Sequence, residues 1–128
     1  MLRDFLNYWL LSVPMSGDLS AEQMLAAARL PLAKLHPTAR AFWQAYCTSA
    51  KIGALAAGVF WRRSLCFAAA RMAQAAYELS SNMHEPPNLA VATLQLASNI
   101  LADPQDASLR LFGVPMSWSR ARHAVLNA

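Results

Sequence analysis

Between Pro37 and Pro86 the chain contains no proline, and alanine fills much of that interval. Residues 38–81 are therefore predicted to form one long central helix. A straight helix over those residues would run about 65 Å, whereas a compact domain of this size has a radius of gyration near 14 Å. Such a rod must bend, protrude or be covered by something else.

Two Phe-Trp pairs, Phe42-Trp43 and Phe60-Trp61, punctuate the segment. On one continuous helix their spacing is five whole turns, so each residue type shares an azimuth and the pairs stand about 27 Å apart. On the same wheel Arg40, Lys51 and Arg62 fall in a cationic stripe beside Gln44, with Arg63 next to it. Phe42, Tyr46, Gly53, Ala56 and Phe60 lie opposite. Gly53 with Ala57, and Ala54 with Gly58, are spaced four apart and would let another helix approach closely. Past Arg63 the polar residues Arg71, Gln74 and Glu78 move to roughly the apolar side, so either the segment bends near Gly58–Arg63 or its two halves pack against different things.

The flanking segments punctuate clearly. A first helix is expected over about Arg3–Val13, with Leu2, Phe5, Leu6, Trp9 and Val13 on one face. Ser20 and Gln23 form a capping box opening a second helix that ends near Leu30. "PLAKLHP" reads as a proline-bounded connector. After the loop "SSNMHEPPN", Asn88 caps a helix that is apolar nearly all round, the mark of a buried element. Asp103 caps a short helix finished by Gly113, and "SWSRARHAVLNA" is a last amphipathic turn or two. "VPMS" occurs at 13–16 and 114–117 as a repeated stop signal. No stretch reads as a strand. The expected architecture is a single all-α domain over 1–128, an irregular helical bundle of about five or six helices round the kinked segment 38–81.

Hydrophobic residues make up 56% of the chain and charged residues 14%, so some apolar surface should remain for a partner. The charge of +4 is laid out in blocks. Residues 23–77 hold Arg29, Lys34, Arg40, Lys51, Arg62, Arg63 and Arg71 without an acid, and residues 78–106 hold Glu78, Glu85, Asp103 and Asp106 without a base. The acidic block can fold back on the basic one, or the basic one can meet an anionic partner. Cys47 and Cys66, read on one straight helix, are too far apart for a disulfide, which favours reduced thiols and an intracellular setting. The opening residues make a poor signal peptide.

Residues 40–63 fit three roles: a core helix of a bundle, an interfacial helix with its cations toward water, or a membrane span bounded by two aromatic belts. The span would put Lys51 near mid-membrane at a cost of about 2.5–3.5 kcal/mol unless paired. Catalytic chemistry finds no constellation. His36, His84 and His123 are scattered, Met83-His84-Glu85 stands alone as a metal motif, and the glycines build no phosphate loop. No enzyme activity, cofactor, metal or small-molecule substrate is expected. Nucleic acid is disfavoured because cations are sparse, although "WSRAR" at 118–122 could touch phosphate.

The sequence thus points to an accessory or assembly subunit docking by helix packing onto a larger protein complex, or forming a homo-oligomer, through the central helix. Phe42, Trp43, Gly53, Ala54, Ala57, Gly58, Phe60 and Trp61 are the expected packing residues. Arg40, Lys51, Arg62 and Arg63 are the expected contacts for an acidic partner. The alternative is a peripheral protein that binds an anionic membrane surface through an amphipathic helix.

Overall fold

The computed structural model describes residues 1–15 and 17–116. Six α-helices and no strand occur among them: α1 Leu2–Ser12, α2 Ala21–Ala26, α3 Leu32–Ser49, α4 Ala54–Ser80, α5 Asn88–Ala102 and α6 Pro104–Phe112. The expected terminal amphipathic turns over 117–128, including Arg120, Arg122 and His123, lie outside the described residues.

Several boundaries follow the local chemistry read from the sequence. The Ser20 hydroxyl accepts from the Gln23 backbone N–H at 3.2 Å, and the Gln23 side chain accepts from the Ser20 N–H at 2.9 Å. Two of the orphan donors at the α2 start are satisfied by this box, although the helix stops at Ala26, short of Leu30. The Asp103 carboxylate accepts from the Asp106 N–H at 3.0 Å, Pro104 occupies the first position of α6, and Gly113, at φ 65°, ends it in the left-handed region. A Cβ at Gly113 would come within 2.8 Å of His36 Cβ, so the position requires glycine on two counts. Asn88 is the first residue of α5 rather than its cap, a place taken by Pro87. The first helix ends at Ser12, whose hydroxyl accepts the Leu30 N–H and ties the chain after α2 to the end of α1.

The central segment is two helices. Its interruption lies at 50–53 rather than at Gly58–Arg63, because Lys51 turns into the left-handed region at φ 54°. The Ile52 N–H donates to the Cys47 carbonyl at 2.9 Å and the Lys51 N–H to Thr48 at 3.3 Å, a Schellman ending to α3. Gly53, extended, then caps α4. In the other direction α3 begins at Leu32, so "PLAKLHP" is not a separate connector. Pro37 sits inside the helix on an exposed face, where water can take up the carbonyl its missing N–H leaves unmet. Cys47 and Cys66 fall on different helices and are not disulfide-linked, so the straight-helix distance between them is no longer the reason.

One core cluster joins the helices: Leu6, Trp9 and Leu10 of α1, Ala39 and Trp43 of α3, Trp61, Leu65, Ala69 and Met72 of α4, Leu96, Ala97 and Ile100 of α5, and Phe112 of α6. The most extensive pairing is α4 with α5, joined by the short 81–87 connection and therefore antiparallel. Small residues at the contact, such as Ala69, Ala76, Ala90 and Ala97, are all buried. The expected burial of α5 is only half met, since Val91, Leu94 and Leu101 face solvent. No helix among the described residues is long and apolar enough to cross a membrane.

Candidate functional site: an aromatic cleft

The break at Lys51 turns the chain so that α4 leaves α3 at an angle, and the two Phe-Trp pairs meet rather than stand far apart. Trp43 and Trp61 touch with ring centroids 4.8 Å apart and planes inclined by 49°. Trp61 also packs edge-on against Phe112 at 5.6 Å. Its indole N–H donates to the Ser108 hydroxyl at 2.6 Å, and Ser108 in turn donates to the Val114 carbonyl. A buried polar tip is thereby satisfied inside an apolar cluster. The backbones of α3 and α4 hardly approach, because the two indoles fill the space between them.

The wedge between the helices opens into a cleft of about 610 Å³, closed on its third side by the start of α1. Trp43 and Trp61, only 8% and 1% exposed, form its floor. Phe42 at 39%, Tyr46 at 47% and Phe60 at 46% line it with apolar surface in solvent, and Phe67 stands at its edge. Phe42 stacks on Tyr46 at 6.2 Å and Tyr46 on Trp43 at 5.8 Å, a continuous aromatic wall. This arrangement offers a rigid apolar slot with little freedom to lose on binding.

The charged groups at the rim are all held by neighbours in the chain, Asp4 by two cations and Arg71 by a neutral amide. The Asp4 carboxylate lies 2.9 Å from the Met1 amine and 3.1 Å from the Arg3 guanidinium. Hydrogen bonds from the amine first, and then from Arg3, hold its pKa below the ordinary carboxylate range. The Arg71 guanidinium donates to the Gln74 side-chain carbonyl, and the Gln74 amide donates to Glu78 at 2.8 Å. The cleft thus has apolar walls and, among the described residues, a rim cation, Arg71, that no carboxylate contacts.

The residues expected to pack against a partner therefore separate into two groups. Phe42 and Phe60 present surface to solvent, while Trp43 and Trp61 are spent on the chain's own core. Gly53 is exposed, with nothing within 4 Å of a Cβ built on it, so it mediates no close helix contact in this chain. Ala54, Ala57 and Gly58 are half-buried, and Ala57 and Gly58 face Val114, Pro115 and Met116 of the same chain. The expected cationic stripe is dispersed by the turn at Lys51. Arg40 lies on α3 beside Gln44 and Gly113, whereas Arg62 and Arg63 lie on α4 beside Val59 and Phe67. Lys51 itself is the exposed turn residue.

The α1 contribution to the cleft left no mark in the sequence, because nothing in residues 1–4 announces which distant helix they meet. Phe67 could have been found, since it follows Phe60 by two helical turns on the same face. Among the described residues no group of three or more His, Cys, Asp or Glu side chains is placed to hold a metal ion, and Met83, His84 and Glu85 are all exposed. Comparison of the chain with protein-family models, curated proteins and solved structures gave no match.

Proposed function

We propose that the chain is a non-catalytic accessory or assembly subunit that docks onto a larger protein complex by taking a partner's apolar side chains into the aromatic cleft. The supporting observation is that Phe42, Tyr46 and Phe60 turn apolar surface to solvent above a floor of two tryptophans. A helix or loop presenting aromatic or branched aliphatic anchors suits such a slot, and anchors of that kind carry most of the energy of an interface. The test is purification from the native source under mild detergent, comparing the natural chain with a Phe42→Gln, Phe60→Gln variant of equal helicity. One or more companions in fixed ratio with the natural chain, and lost from the variant, is the expected result. The same companions with both chains, or none with either, refutes the reading.

A second reading, attachment to an anionic membrane surface, is favoured by Leu55, Val59 and Phe67, which are exposed on α4 beside Arg62 and Arg63. Flotation with anionic vesicles that disappears in high salt would support it in place of protein docking.

A further inference from the structure

On the side of α4 away from the cleft floor, Val59, Arg63, Cys66, Ala70, Ala73 and Tyr77 recur at alternating steps of four and three. This is the spacing of a helix-pairing seam. Val59 and Tyr77 are 61% and 75% exposed, Arg63 and Ala70 are exposed, and Cys66 and Ala73 are half-buried. Among the described residues only Ala73 of the row packs against the core, and the rest lie outside it. Its middle is made of small residues, which permit close approach, and its bulkier residues stand at the two ends.

We propose that this seam pairs antiparallel with the same seam of a second copy, about a two-fold axis passing near Ala70. Charge selects the occupant. Arg63 lies within the apolar row rather than at its watery flank, which suits pairing with a carboxylate and not immersion in a lipid surface. Among the described residues the ion pairs are those of Asp4 with Met1 and Arg3 and of Asp106 with Arg110, so Arg63 has no acidic partner of its own there. The α4 acid on the adjoining flank is Glu78, whose carboxylate is met among the described residues by the Gln74 amide alone. Placing the axis near Ala70 brings Arg63 of each copy alongside Glu78 of the other, so one surface supplies both halves of two symmetry-related ion pairs. Tyr77 then lies against the Arg63 end of the opposing seam, within reach of its guanidinium. A parallel pairing would instead set Arg63 against Arg63.

The proposal does not rest on the cleft reading, because Phe42, Tyr46 and the cleft floor take no part in the seam. The experiment is sedimentation of the full chain over a range of concentrations, with Arg63→Glu, Glu78→Arg and an equimolar mixture of the two. The natural chain should dimerise reversibly. Each single reversal should weaken the dimer by at least about tenfold, since two attractive contacts become repulsive. The mixture should recover a dimer containing one copy of each variant, because one contact then joins the two introduced charges, opposite in sign, and the other joins the natural Arg63 and Glu78. That recovery also shows that both variants are folded. A natural chain that stays monomeric while floating with anionic vesicles, a dimer indifferent to either reversal, or a mixture with no mixed dimer would each overturn the proposal. Phe42→Gln should leave the dimer intact, so loss of partner docking and loss of self-pairing are separable outcomes.

Discussion

Replacing Lys51 by glycine tests the feature on which the rest of the architecture depends, the turn that separates α3 from α4. Lys51 holds φ at 54°. An L-residue in the left-handed region costs about 1–2 kcal/mol, because its Cβ crowds the following carbonyl. Glycine removes that cost, but its freer unfolded chain takes back about 0.4–1 kcal/mol. The net expectation is stabilisation by about 0.5–1 kcal/mol. Were 38–81 one unbroken helix, the same substitution would put glycine in a helix interior and destabilise by about 0.5–1 kcal/mol, lysine being a good helix former. The two structures thus predict opposite signs. Reversible urea unfolding followed by circular dichroism should show a raised midpoint with an unchanged slope, and for a chain of this size a melting point higher by roughly 2–5 °C. Ala45→Gly is the internal control, since Ala45 is exposed within α3 and should lose about 1 kcal/mol. A Lys51→Gly variant destabilised as much as Ala45→Gly would refute the break.

Three other substitutions probe the packing. Ser108→Ala removes the hydroxyl that accepts from Trp61 and donates to Val114, both in a buried site, and should cost about 2–3 kcal/mol in denaturant unfolding, with a shift in the Trp61 fluorescence. Gly113→Ala meets both a left-handed φ and the His36 ring and should cost about 2 kcal/mol or more; the His36 Nε2 hydrogen bond to the Arg110 carbonyl should weaken with it, visible in the imidazole NMR shifts. Gly53→Leu, at an exposed cap with open space around it, should lose only the N-cap preference for glycine over leucine, about 0.5–1 kcal/mol; a loss above about 2 kcal/mol would show that the position is packed after all.

Local signals carry the parts of this fold that depend on neighbours in the chain. The Ser20–Gln23 box, the Asp103 cap, Pro104 and Gly113 each have a side chain or a missing atom that states its purpose within a few residues, and each appears in the structure. Lys51 states nothing of the kind. Glycine is the usual residue at a left-handed helix ending, and here it comes two positions late, at Gly53, as a cap for the next helix. High alanine content makes helix favourable on both sides and hides the turn between. Leu32–Pro37 misleads in the opposite direction, because proline reads as a boundary where an exposed face lets the helix tolerate it. The membership of the cleft is legible only for residues on α3 and α4. Its α1 wall depends on how three helices pack, and no short window of sequence holds that information.

The two Phe-Trp pairs show why an apolar count does not convert directly into partner surface. Within each pair the residues sit side by side on a helix, so a helix half-sunk in a core must bury one and leave the other near the rim. Burial falls on the tryptophans, whose large rings fill the wedge where α3 and α4 diverge and whose one polar atom finds Ser108 in the case of Trp61. The phenylalanines are left at the opening, 39% and 46% exposed. The same indoles that complete the core also keep the helices from closing, and a smaller residue at either position would let the wedge collapse. The cleft is thus a consequence of core packing, so that its shape should be as rigid as the core beneath it. A rigid apolar opening gains on binding what a flexible one would lose in ordering its side chains, which is why Phe42 and Phe60, and not the more numerous exposed leucines, are the residues to change first in seeking a partner.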